Sequence, residues 1–247
     1  MNTFNKNTLV VFGDSNVWGA ELKDVPHRQP DFKSVVYDPK DIDNWPYHIR
    51  HSFSGVIAEK NNMRILNLSI PGCSNDTIFR RINKFLQGNY PVDLDDCFVM
   101  VFWTGILRRE FFRSDINKYL NYSPLWEEKL QLFPKFHKIY SKLFMHEGYD
   151  LVKSFNYLNS VNALLTYNNV EFCQGFSLME TELIETAKNA NLPKFLSFDP
   201  NDAITAMVII AGNGFENNDY ILEGHHPSEK GHQLIANRFT ELLDKLV

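Results

Sequence analysis

"TLVVFGDSNVWG", residues 8–19, is the stretch from which the fold is read. Leu9, Val10, Val11 and Phe12 run without a polar break into Gly13-Asp14-Ser15. A short apolar run that ends on turn residues is the pattern of a strand buried on both faces. A small polar triplet with a hydroxyl in it is ordinary turn chemistry. It also suits a strand that holds the hydroxyl at its carboxyl end, where open α/β sheets gather functional groups. Gly13 lets the backbone turn sharply. A helix starting near Asn16 would offer free N–H groups beside Ser15 Oγ, donors suited to an oxyanion.

The same pattern recurs down the chain. Candidate strands are Thr8–Phe12, Met63–Leu68, Cys97–Trp103, Val170–Cys173 and, more weakly, Phe195–Phe198. Between them lie candidate helices over about Ser52–Asn61, Asn75–Leu86, Ser177–Asn189 and Glu229–Leu246. Strand then helix, repeated, implies a parallel sheet with helices on both faces. The last helix is the clearest: Leu234, Ile235, Phe239, Leu242, Leu243 and Leu246 recur at helical spacing, and Ser228 stands at the N-cap position. Two stretches exceed a minimal α/β unit. Residues 20–51 carry several prolines and little periodicity, and read as a long loop over the end of the sheet. Residues 106–167 are rich in Phe, Tyr, Leu and Lys, and read as a helical insertion kinked or broken at Pro134. The whole of 1–247 reads as one domain.

Composition narrows the function classes. A net charge of -5 argues against a nucleic-acid binder, which would show a basic face, and gives no reason to expect an anionic membrane as partner. Cys73, Cys97 and Cys173 have no metal-binding or disulfide spacing, so reduced thiols in a cytoplasmic setting are expected. No leader or membrane-spanning segment is recognisable. There is neither a Walker-type loop nor GxGxxG, which leaves a nucleotide binder poorly supported.

A serine hydroxyl is a poor nucleophile without a base. The candidate lies at the other end, in "LEGHHPSEKGHQLIA", residues 222–236. Glu223 and His226 stand three apart before the final helix. That spacing can bring a carboxylate to one imidazole nitrogen while the other points outward. Metal ligation by His225, His226 and His232 is the competing reading, but their spacing matches no ligand motif. His232 reads as a packing or capping residue within the helix.

These motifs resemble the GDSL, or SGNH, family of serine hydrolases. "VVFGDSN" matches the family's Gly-Asp-Ser after the first strand, and "EGHHPSEKGHQLIA" its Asp-x-x-His-Pro segment before the last helix. "ILNLSIPGCSNDTI" matches the second block, with Gly72 at the family's glycine. The resemblance covers about half of the chain. It implies a three-layer α/β/α sandwich with a flavodoxin-like, mostly parallel five-stranded sheet. It also implies Ser15 as nucleophile, His226 as general base, and the backbone N–H groups of Ser15 and Gly72 as oxyanion donors. No metal or organic cofactor is implied. The substrate class it implies is a small-molecule or glycan ester.

Two departures stand out. The family's Asp is Glu223 here, with Asp219 a weaker substitute a turn away. The third block, Gly-x-Asn-Asp, is missing: the chain reads "VFWTGILRRE" after the third strand. Thr104 or Gly105 stands near the position of the missing Asn, and Asn75 is another stand-in donor. Arg108 and Trp103 are candidates for a substrate rim, with Arg108-Arg109-Glu110 as a solvated helix start the alternative; Trp103 and Trp18 flank the presumed site and read equally as core residues. Cys73, beside Gly72, reads as a small apolar residue. The altered block and the aromatic insertion also fit a non-catalytic carbohydrate- or partner-binding protein that keeps the fold.

Overall fold

The computed structural model describes residues 6–22, 35–124, 134–143, 145–178, 181–191, 219–222 and 226–246. In chain order the strands are β1 (Thr8–Phe12), β2 (Arg64–Asn67), β3 (Cys97–Trp103), β4 (Arg109–Arg113), β5 (Lys118–Tyr122) and β6 (Glu171–Phe176). Four of them form the central parallel sheet, in spatial order β2-β1-β3-β6. Thr8 pairs in register with Arg64 on one side and Cys97 on the other, and Phe98 with Glu171. The fifth expected strand, 195–198, lies outside the described residues.

The apolar run of β1 is divided between two cores. Leu9 and Val11 face one side with Phe98, Met100 and Phe102. There they meet α3 (Phe53–Lys60) through Phe53 and Ile57, and α8 (Glu229–Leu246) through Ile235 and Phe239. Val10 and Phe12 face the other side with Val99 and Val101. That layer holds α4 (Asn75–Leu86), α6 (Glu147–Tyr167) and α7 (Thr181–Asn189), through residues such as Ile82, Val161 and Leu183.

Helices on both faces of a parallel sheet make the expected three-layer α/β/α sandwich. The strand order carries the site. From β1 the chain leaves to one side and builds β2; from β2 it crosses back to build β3. The loops after β1 and β3 therefore part at their carboxyl ends, which is where such sheets open a crevice.

Two expectations need correction. Residues 106–167 are not one helical insertion. They begin with the antiparallel hairpin of β4 and β5, and continue in α5 (Pro134–Leu143) and α6. The helix begins at Pro134, where the missing N–H costs nothing, and residues 125–133 before it lie outside the described residues. α6 is the crossover into β6, with Leu158, Val161 and Leu165 buried in the core. The hairpin is pinned by charge: Arg80 donates twice to Glu110, at 2.8 and 2.6 Å. The buried Arg109 pairs with Asp150 on α6.

Residues 35–51, expected as loop, are also structured. Tyr37 bridges to Ile65 at the sheet edge, a 3-10 turn spans Pro39–Asn44, and α2 (Tyr47–His51) follows. Trp45 and Ile49 enter the core. Residues 23–34 of the same expected loop lie outside the described residues.

Candidate functional site

Ser15 opens α1 (Ser15–Trp18), a single helical turn directly after β1. Gly13 is required there: a Cβ on it would lie 2.4 Å from Val17 Cγ2. Asp14 caps the turn, its Oδ1 accepting from Asn16 N at 3.0 Å. The carboxylate is wholly buried and is compensated at its other oxygen. Thr104 Oγ1 donates to Asp14 Oδ2 at 2.7 Å, and Arg108 Nη1 approaches the same oxygen at 3.1 Å. Arg108 also donates to Thr104 Oγ1, at 2.7 Å. A buried charge is tolerable only when paired and hydrogen-bonded in this way. The middle residue of Gly-Asp-Ser thus anchors the serine turn to the loop after β3.

The loop after β2 closes a second side. Ile70 N donates to Gly13 O at 2.9 Å, and Cys73 Sγ to the same oxygen at 3.1 Å. Gly72 lies between them with φ +70°, left-handed backbone that suits glycine. Burial, and then the Asp14 charge, push the Cys73 thiol far above its usual range, so it is a poor nucleophile. Asn16 Nδ2 donates to Ser177 O at 3.2 Å and ties the turn to the end of β6.

The third corner faces inward. Asn75 Oδ1 accepts from Thr104 N at 2.9 Å, and its Nδ2 donates to Thr104 O and Ser154 Oγ. Gly105 is buried, and its carbonyl accepts from Arg108 N at 3.1 Å. Of the two residues expected at the rim, Trp103 takes its alternative place in the core. Trp103 is wholly buried and donates to Gln174 Oε1, so it is a core residue. Arg108 turns in toward Asp14. Trp18 is also buried, its ring 4.4 Å from that of His48.

His226 arrives from the far end of the chain. Leu222 N donates to His226 O at 2.8 Å and Ser228 N to Tyr220 O at 2.9 Å, an antiparallel bridge just before α8. Ser228 Oγ accepts from Gly231 N, the expected N-cap contact. Nδ1 of His226 lies 3.2 Å from Glu21 Oε1, in ion-pair range though off the line of a hydrogen bond. Glu21 stands six residues after Ser15, so the segment that follows the Gly-Asp-Ser motif reaches His226. No local sequence pattern links Glu21 to His226. Glu223 and His225 lie outside the described residues. Asp219 pairs with Lys230 at 2.8 Å. His232 is fully buried, its Nδ1 accepting from Phe53 N at 3.1 Å, and burial lowers its pKa to about 3, helped by His226 and His51. Among the described residues no cluster of metal-binding side chains occurs, and no helix is long and apolar enough to cross a membrane.

No protein-family model matches the chain. No curated protein matches it either. Solved structures do. A lipolytic protein of the G-D-S-L family from Veillonella parvula is 13% identical with a TM-score of 0.50, over 95% of this chain and 97% of that one. The esterase EstA from Pseudoalteromonas sp., inhibited by monoethylphosphonate, is 13% identical with a TM-score of 0.51, over 97% and 98%. The acetylxylan esterase Axe2 from Geobacillus stearothermophilus is 13% identical with a TM-score of 0.52, over 98% and 96%. The chain has the fold of the GDSL/SGNH hydrolases.

Proposed function

We propose that this protein is a serine-dependent ester hydrolase acting through an acyl-Ser15 intermediate. The observation that supports it most is the approach of His226 to Glu21, on the segment that begins with Ser15. Ser15 Oγ attacks the ester carbonyl while His226 Nε2 takes its proton. The imidazolium returns that proton to the leaving alcohol, and water then releases the acid by the same route. Backbone N–H groups of Ser15 and Gly72 receive the oxyanion. Resemblance assigns the orienting carboxylate to Glu223. Esters of small acyl groups, acylated carbohydrates among them, are the substrate class, as the name of the acetylxylan esterase suggests. No cofactor enters the reaction. The chain acts as a single domain, and its buried free thiols favour a reducing, cytoplasmic setting.

A second reading, a carbohydrate- or partner-binding protein without catalysis, is favoured by the third corner. Thr104 Oγ1 and the Asn75 amide are engaged internally and stand in poorly for a third donor. Losing one such donor costs about 10²–10³ in rate, which slows an enzyme without abolishing it. Fluorophosphonate labelling with location of the adduct by mass spectrometry separates the two. A single adduct on Ser15, lost in Ser15→Ala and in His226→Ala, is expected. Hydrolysis of p-nitrophenyl acetate unchanged in Ser15→Ala overturns the esterase reading.

A further inference from the structure

We infer that Glu21 is the positioning residue for His226, an inference that rests on the esterase reading above. Glu21 Oε1 lies 3.2 Å from His226 Nδ1, with each side chain 23% exposed. A carboxylate this close to Nδ1, though off the line of a hydrogen bond, favours by its charge the tautomer with the proton on Nδ1, which leaves Nε2 to accept the serine proton, and it stabilises the imidazolium that follows.

The backbone at Glu21 points the same way. Five described non-glycine residues have positive φ; four are asparagines, and the fifth is Glu21 at 65°. Asparagine is enriched in that region, whereas a glutamate is held there only where its surroundings dictate it. Ala20 N donates to Ser15 O at 3.0 Å and Leu22 N to Gly19 O at 3.4 Å, and both Ala20 and Leu22 are buried. The chain must turn between two anchored neighbours, and the turn presents Glu21 to the imidazole. Nucleophile and orienting carboxylate then share one short segment, and only the base comes from elsewhere.

Turnover of p-nitrophenyl acetate and fluorophosphonate labelling are compared in the wild type, Ser15→Ala, Glu21→Asn, Glu21→Asp and Glu223→Gln. Asparagine suits the left-handed backbone, so Glu21→Asn removes the charge and keeps the turn. The expected result is a kcat lower by about 10²–10⁴-fold in Glu21→Asn, with KM little changed. Partial recovery in Glu21→Asp and a smaller loss in Glu223→Gln are expected with it. Wild-type kcat in Glu21→Asn, or a loss confined to Glu223→Gln, overturns the assignment while Ser15→Ala stays inactive. A Glu21→Asn chain that melts well below the wild type, with no recovery in Glu21→Asp, overturns it too. Activity that survives Ser15→Ala overturns the esterase reading and this inference together.

Discussion

The serine side and the histidine side of the site are built differently. Ser15 stands on a turn fixed from three directions, through Asp14, Gly13 O and Asn16. Its anchoring carboxylate is wholly buried. His226 is held by backbone bonds at Leu222 and by a partly exposed contact with Glu21. Low dielectric strengthens the first set of contacts, while solvent screens the second. The Ser15 turn is therefore preorganised, and His226 retains freedom to adjust.

The largest test of that contrast is Arg108→Ala. It leaves the Asp14 carboxylate buried without its cation, which costs about 3–5 kcal/mol. Urea denaturation checks it; a stability equal to wild type would mean that the serine side is no better anchored than the histidine side. Thr104→Val removes one donor from the same carboxylate and should cost about 1–3 kcal/mol by the same measurement. A third effect comes from acid. His232, behind His226 on α8, stays neutral in the folded chain down to about pH 3, whereas an unfolded imidazole takes its proton near about 6.5. Acid thus favours unfolding: the contribution is full above about pH 6.5 and declines by about 1.4 kcal/mol per unit below it. His48, lowered by burial to about 4, adds a fall of the same sign. His232→Gln should make the pH dependence of stability shallower between about pH 6.5 and about pH 5; an unchanged slope counts against a buried neutral ring.

The sheet was legible because its strands are short apolar runs between turn residues. Thr8–Phe12 and Cys97–Trp103 fall where the sequence predicts them, and Asn75–Leu86 is a helix to the residue. The hairpin was not legible, because Phe111, Phe112 and Tyr119 on its strands fit a helical stripe as well as a pleat. Asn117, in left-handed backbone at its turn, was the overlooked signal. Of the candidate site, Ser15 and His226 are proposed from motif and position alone. The inward turn of Arg108 was not, since an arginine beside a strand gives no sign of which carboxylate it will meet. The approach of Glu21 to His226 was equally hidden, because it joins two loops from opposite ends of the chain.

The thiol under Gly13 turns the serine loop into its own reporter. The Cys73 thiol donates a hydrogen bond to the Gly13 carbonyl and is closed to solvent. A thiol reagent reaches that sulfur only when the loop lifts, so its rate of reaction clocks the opening of the segment that carries Ser15.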